Sequence, residues 1–311
     1  MKIAFIFPGQ GSQYVGMAKE FIENFAESKE VFDLASGILG YDLAQLCMHG
    51  PAEKLNMTEN TQPAILAVSV ATWRLLAQQG LRPAFVAGHS LGEYSAHVAA
   101  GTLAFADALR IVRRRGRYMQ EAVPVGEGAM AAVLGLDADE VAAACVDAAE
   151  GDVVSAANIN APGQIVIAGS RAAVDRAGAR AKAMGAKRVI PLKVSAPFHC
   201  ALMRPAEARL APELRGLAVS APGIPVVANV DGEPRRDAAA AIEALVRQVS
   251  RPVQWQAVMQ RLASEGVRTY VEVGPGTVLS GLVRKIVADA TVFNTDGDLG
   301  TPAMEALFQG S

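Results

Sequence analysis

Gly88-His89-Ser90-Leu91-Gly92 is the stretch that most restricts how this chain can fold. An apolar run, Pro83-Ala84-Phe85-Val86-Ala87, precedes it and reads as a strand, and residues 93–100 read as a helix. Glycines on both sides of the serine let strand and helix approach closely, while the sharp turn pushes Ser90 out of the sheet edge. This is the context a nucleophile elbow requires. Ser90 then sits at the positive end of the helix dipole, where an oxyanion is stabilised. An ordinary turn fits the same five residues, so the chemical reading depends on what else the chain supplies.

The surrounding elements follow an α/β rhythm. Apolar patterning predicts a strand at 3–7, helices within 16–36, a longer helix near 61–79, a strand at 84–88 and helices at 91–100 and 104–122. Such alternation gives a mostly parallel sheet with helices on both faces, and ligands bind at the carboxyl ends of its strands, where Ser90 lies. Between 126 and 192 the order becomes strand 129–136, helix 137–149, strands 152–158 and 164–168, helix 171–184 and strand 187–191. A turn at Asn160-Ala161-Pro162-Gly163 joins the two middle strands. That βαββαβ order is ferredoxin-like. Helices near 200–215, 237–249 and 254–265, a strand at 268–273 and a helix from 276 then resume the first rhythm. The division expected is a large hydrolase-like domain of residues 1–125 and 196–300, an inserted subdomain of 126–195 and a tail of 301–311. The tail ends in Leu307-Phe308-Gln309-Gly310-Ser311, which looks like the remnant of a viral protease site; native residues are the alternative, and the tail is kept out of the fold.

Composition removes several function classes. The 311 residues are enough for a large core, and a hydrophobic fraction of 51% fits a compact soluble enzyme. Aromatic residues at 5% are too few for a stacking platform, and a net charge of −2 gives no pull toward nucleic acid or an anionic membrane. No apolar run approaches the roughly 20 residues of a membrane span, and the apolar start 3–7 is too short for a signal peptide. Cys47, Cys145 and Cys200 are odd in number and form no Cys-x-x-Cys pair. They read as reduced thiols of a cytoplasmic protein, with no metal site.

A serine hydroxyl needs a base to accept its proton, and the chain has four histidines. His89 adjoins Ser90 on the turn and points away. His97 lies seven residues along the helix, about 10 Å distant. His49 sits in a solvated turn, His49-Gly50-Pro51. His199 remains, in Val194-Ser195-Ala196-Pro197-Phe198-His199-Cys200, where the insert hands the chain back to the main domain. Seams of this kind hold active sites. A satisfied structural histidine is the alternative. Neighbouring Cys200 lacks the elbow and reads as a small buried thiol.

The helix near 104–122 carries Arg110, Arg113, Arg114, Arg115 and Arg117. At 100° per residue, Arg115 alone falls in the apolar stripe of Ala108, Ile111, Val112 and Met119. A guanidinium facing inward needs an anion. That anion is either an internal carboxylate or a substrate carboxylate held bidentately. The other four read as a solvated or docking face. Pro8-Gly9-Gln10-Gly11-Ser12-Gln13, directly after the first strand, lacks the pattern of a phosphate loop and fits an oxyanion-hole loop beside the elbow.

Taken in order, several motifs resemble one family. They are Phe7-Pro8-Gly9-Gln10-Gly11-Ser12-Gln13, Gly88-His89-Ser90-Leu91-Gly92-Glu93-Tyr94-Ser95, Arg115-Gly116, Asn160-Ala161-Pro162-Gly163-Gln164, Ser195-Ala196-Pro197-Phe198-His199-Cys200 and Val271-Glu272-Val273-Gly274-Pro275-Gly276. The chain is similar, up to about residue 290, to the bacterial malonyl-CoA:acyl-carrier-protein transacylases of type II fatty-acid synthesis. More broadly it resembles the acyltransferase domains of polyketide synthases. The resemblance implies a hydrolase-like domain with a ferredoxin-like insert. It implies Ser90 as nucleophile, His199 as base, and an oxyanion hole made by the main-chain amides of Gln10 and Leu91. Arg115, Phe198 and Asn160 are implied to bind substrate, with Arg115 on the malonyl carboxylate and Phe198 crowding a 2-methyl group. Gln248 is implied to orient the histidine through its main-chain carbonyl. Malonyl-CoA and acyl carrier protein are the implied partners, with no bound cofactor. The family's Asn-Asn-Val-Asp segment appears here as Ala228-Asn229-Val230-Asp231. A trans-acting polyketide acyltransferase shares all of these features. A serine esterase or thioesterase would instead place an acid between Ser90 and His199 in chain order, with Asp107, Asp137, Asp139, Asp147, Asp152 and Asp175 available. A scaffold that only binds carrier protein is the third reading.

Overall fold

The computed structural model describes residues 2–297 and 300–309, apart from the side chains at 303 and 307–309. Two sheets organise it. The first contains β1 (Ile3–Phe7), β2 (Phe85–Gly88), β7 (Val226–Val227), β8 (Pro234–Arg235), β9 (Thr269–Glu272) and β10 (Thr291–Asn294), in the order β10-β9-β1-β2-β7-β8. Every pairing is parallel except that of β7 with β8. Its central strands are apolar throughout because both faces are covered. Ala4, Ile6, Phe85, Ala87 and Tyr270 face one way, onto Trp255, Met259, Leu262, Leu279 and Val283. Ile3, Phe5, Phe7, Val86 and Val271 face the other, onto Leu76, Ala96 and Ala99.

The second sheet contains β3 (Gly128–Leu134), β4 (Val154–Ala161), β5 (Gln164–Ser170) and β6 (Arg188–Pro191), antiparallel in the order β4-β5-β3-β6. Helices Ala138–Ala149 and Arg171–Ala183 complete a ferredoxin-like arrangement. The first of them starts at a reciprocal cap between Asp137 and Glu140. A parallel bridge joins Asn158 of β4 to Val253, with Ile159 N–H donating to Val253 O at 2.9 Å and Val253 N–H to Ala157 O at 2.9 Å. The second sheet is therefore tied by main-chain hydrogen bonds to the segment that leads into helix Trp255–Ser264.

Several sequence expectations need correction. Asn160 and Ala161 belong to β4 and not to a turn, because register shifts between Ala156 and Asn158 and between Ile159 and Ala161 carry the strand on to Ala161. Strands β7, β8 and β10 and helices Leu43–His49 and Ala52–Leu55 are elements that the sequence pattern does not predict. The tail also folds, as helix Pro302–Gln309, with Met304 buried beside Ile3 and Val271. The remnant proposed at 307–311 falls on side chains and residues outside the described set.

Two long helices bring the site together. Thr58–Gln78 packs on Phe105–Glu121 at Gly116, where a Cβ would meet Thr58 O at 2.7 Å. This close contact is why glycine follows Arg115. The Arg115 side chain is only 1% exposed. Arg110, Arg114 and Arg117 pair outward with Asp107, Glu213 and Glu121, and Arg113 lies over the Tyr41 ring. No helix of the described residues is long and apolar enough to cross a membrane.

His97, on helix Gly92–Ala99, is fully buried, and neither ring nitrogen has a partner among the described residues. Burial, reinforced by the charge of Arg235, pushes its pKa down to about 3. The unfolded chain takes up a proton at this residue as pH falls through about 6.5, whereas the folded protein does not. Stability is therefore lost below about pH 6.5. His97→Leu is expected to remove this loss. In urea titrations its stability advantage over wild type should grow by about 2 kcal/mol between pH 7.5 and pH 5, from about 1.4 kcal/mol per pH unit. An unchanged difference would mean that His97 takes up its proton at the same pH in the folded protein as in the unfolded chain.

Candidate active site

Strand β2 ends at Gly88, and helix Gly92–Ala99 begins four residues later. Both glycines are required by distance. A Cβ on Gly88 would meet Gly92 C at 1.9 Å, and one on Gly92 would meet Phe7 O at 2.0 Å. Between them Ser90 has a φ of 51°, a left-handed conformation that costs a non-glycine residue energy and persists only when its surroundings enforce it. His89 N–H donates to Phe7 O at 3.0 Å. Asn229 then clamps the turn from the far side. Its Oδ1 accepts Ser90 N–H at 2.7 Å, and its Nδ2 donates to Gly88 O at 2.6 Å. Among the described residues no hydrogen bond engages the main-chain N–H of Gln10 or Leu91.

His199 Nε2 lies 2.7 Å from Ser90 Oγ, and its Nδ1 lies 2.9 Å from the main-chain carbonyl of Gln248. A carbonyl only accepts, so Nδ1 carries the proton and Nε2 is free to accept the serine hydroxyl. The imidazole is 3% exposed, and burial with the nearby Arg115 charge lowers its pKa to about 3. Its φ of 60° is again left-handed. None of the six aspartates available to a hydrolase triad contacts it. Asp107, Asp137, Asp147 and Asp152 are engaged with Arg110, Glu140 N–H, Arg180 and Arg176. Cys200 Sγ donates to Pro197 O, and burial raises its thiol to about 11, so it stays protonated.

Arg115 reaches the same point from the other side. One terminal nitrogen donates to Gln62 Oε1 at 2.9 Å, and the other to Gln248 Oε1 at 2.8 Å and to Ser90 Oγ at 3.1 Å. The guanidinium lies 5.4 Å from the Tyr94 ring centre. Its Nε has no partner, and no carboxylate forms an ion pair with it among the described residues. Of the two anions left open by the sequence, the internal one is absent from direct contact.

These groups line a cavity of about 420 Å³ that also includes Gln10, Met119, Met130, Leu192, Lys193 and Phe198. Leu91 and Gln248 stand behind this wall, both buried. Asn160 is elsewhere. Its Oδ1 accepts from His89 Nε2 at 2.8 Å, and the cavity is lined instead by Asn158, two residues earlier. Sequence reasoning missed three contributors. Asn229 appeared only as a departure from a motif. Gln62 was signalled by the polar run Thr58-Glu59-Asn60-Thr61-Gln62 opening an otherwise apolar helix. Glu93, 0% exposed, accepts from Asn229 N–H at 3.1 Å and from Gln248 Nε2 at 2.8 Å. Among the described residues no group of three or more His, Cys, Asp or Glu side chains is placed to hold a metal ion. A serine hydrogen-bonded to an unprotonated imidazole, beside a buried cation, is equipped to form an ester with an acyl group that bears its own negative charge.

Comparison with known proteins agrees with this chemistry. Residues 4–297 match the family described as acyl transferase domain. A malonyl CoA-acyl carrier protein transacylase from Salmonella typhimurium is 56% identical over 291 residues, 93% of this chain and 94% of that protein. An acyl carrier protein S-malonyltransferase from Vibrio cholerae superposes with a TM-score of 0.93 at 50% identity, covering 95% of this chain and 97% of the other. A malonyl-transacylase solved in complex with its holo type II PKS acyl-carrier protein superposes with a TM-score of 0.96 at 46% identity, covering 100% of both chains.

Asn229→Ala leaves Ser90 N–H and Gly88 O without their partner. A loss of about 2 to 4 kcal/mol in urea-unfolding stability is expected. A variant as stable as wild type would show that the turn is held without Asn229.

Proposed function

The chain belongs to the acyl transferase domain family, and we propose that it transfers malonyl from malonyl-CoA to the phosphopantetheine thiol of acyl carrier protein. The product, malonyl-ACP, supplies fatty-acid synthesis in the cytoplasm. The observation that carries this reading is Arg115, a buried guanidinium 3.1 Å from Ser90 Oγ that no carboxylate touches among the described residues. A substrate carboxylate gives it the anion it lacks. The relatives named for malonyl transfer support the same assignment.

In the first half-reaction Ser90 Oγ attacks the thioester carbonyl carbon, and its proton passes to His199 Nε2. The main-chain N–H groups of Gln10 and Leu91 hold the oxyanion. Collapse breaks the C–S bond, and the CoA thiolate takes the proton from His199. In the second half-reaction the carrier thiol gives its proton to His199 and attacks the malonyl-serine ester. Ser90 then leaves and recovers that proton. The reaction runs on side chains and main-chain donors alone, without a bound cofactor. Arg115 fixes the malonyl group through its carboxylate.

The electrostatics favour an acyl group that brings its own negative charge. Arg115 helps to hold His199 at a low pKa, which leaves a weak base. A carboxylate on Arg115 offsets that field and raises the basicity of His199 as the substrate is seated. Acetyl brings no such charge, and the bulk of Phe198 in the cavity opposes a branched acyl group.

Intact mass spectrometry after brief exposure to malonyl-CoA tests the reading. Wild type should gain one malonyl group that added acyl carrier protein discharges, and Ser90→Ala should gain none. Free malonate accumulating without an adduct would make the protein a hydrolase. Arg115→Ala should lower malonyl transfer about 100-fold and acetyl transfer far less. Equal losses would exclude Arg115 from carboxylate binding.

A further inference from the structure

Glu93 lies directly after the elbow, and its side chain points inward. One carboxylate oxygen, Oε2, accepts two hydrogen bonds, from Asn229 N–H at 3.1 Å and from Gln248 Nε2 at 2.8 Å. Each of those partners holds one of the two reactive residues. Asn229 clamps the main chain of Ser90. Gln248 receives His199 Nδ1–H on its carbonyl, while its side chain also donates to Ser90 O at 2.8 Å and accepts from Arg115 at 2.8 Å. The Gln248 amide thus lies between the Arg115 cation and the Glu93 carboxyl, with its oxygen toward the cation and its nitrogen toward the carboxyl. In that orientation its dipole is favourable at both ends.

We propose that Glu93 is a positioning residue, the acid that holds nucleophile and base in register through Asn229 and Gln248 rather than by touching His199. In a hydrolase triad a carboxylate accepts the imidazole N–H directly. Here the Gln248 carbonyl occupies that place, and the negative charge sits behind it. An ionised Glu93 locks the Gln248 amide in one orientation and stabilises the imidazolium formed as Ser90 loses its proton. It also supplies an internal negative charge to Arg115 without contact, so the cation stays open to an incoming carboxylate. The inference rests on Ser90 and His199 being the reacting pair.

The groups that bear on the ionisation of Glu93 are Arg115 from helix Phe105–Glu121, Arg235 from β8 and the adjacent Tyr94. Burial outweighs the two arginines and the two hydrogen bonds and raises its pKa to about 7. Glu93 is therefore ionised above that pH and neutral below it. His199, held near 3, does not titrate in the same range. Positioning by the charge of Glu93 should thus give the reactivity of Ser90 an inflection near pH 7, with the slower limb on the acid side.

The test is the rate at which an uncharged fluorophosphonate labels Ser90, followed by intact mass from pH 6 to pH 8. Glu93→Gln keeps the size of the side chain and an accepting oxygen but removes the charge. The variant should be labelled about tenfold more slowly than wild type at pH 8. Wild type should slow toward the variant's rate as pH falls through about 7, and the variant's profile should be flat. Equal rates at pH 8, or the same inflection in both proteins, would overturn the proposal and leave Glu93 a packing residue. If the variant does not fold, wild type alone decides: an inflection near pH 7 supports the proposal, and a flat profile overturns it. Ser90 labelled normally but unreactive toward malonyl-CoA would remove the proposed acyl donor and leave the role of Glu93 standing. A wild-type Ser90 inert to the probe would overturn the role itself.

Discussion

The carbonyl of Phe7 and the α-carbon of Gly92 lie so close that a single methyl group between them would overlap the oxygen at 2.0 Å. That contact joins the end of β1 to the start of the helix after β2, and much of the site follows from it. With the helix pinned against β1, three residues must cross from strand to helix. The middle one is forced into the left-handed region, and it is Ser90. The energetic cost is met by tertiary bonds. Asn229 takes both the N–H of Ser90 and the carbonyl of Gly88. Because Ser90 N–H is used in this way, the next donor along the chain, Leu91 N–H, stays open at the helix terminus.

Charge is arranged around this turn in layers. Arg115 lies nearest the serine, neutral amides from Gln62 and Gln248 surround it, and the carboxyl of Glu93 lies one amide further out. A carboxylate in direct contact would have quenched the cation and closed it to any ligand. The intervening amide spreads the attraction while leaving one face of the guanidinium toward the cavity. Burial and the positive charge of Arg115 close by keep the imidazole of His199 unprotonated in the resting protein.

The parts legible in the sequence were those set by local geometry. The elbow declared itself through two glycines around a serine. Arg115 declared itself through helical period, because one arginine of five fell on the apolar stripe. His199 was reached because only four histidines were present to compare. The remainder depended on contacts between distant segments. Gln62 meets Arg115 across 53 residues, and Asn229 meets Ser90 across 139, with no spacing rule to connect them. Strands β7 and β8 have two residues each, too few to show a period. Asn160 was misread because a bulged strand loses its alternation where the turn residues Pro162-Gly163 begin to dominate the pattern. The family resemblance reached Gln248 through its main chain but gave no sign that its side chain spans three partners.

The parallel bridge between Asn158 and Val253 has a mechanical consequence. One cavity wall, carried by Met130 of β3, belongs to the sheet that is tied at that point to the segment leading into helix Trp255–Ser264. Swinging β4 away from that segment would break the bonds of Ile159 N–H to Val253 O and of Val253 N–H to Ala157 O. Within the cavity the flexible side chains of Met119 and Met130 can adjust to a guest, beside the fixed bulk of Phe198.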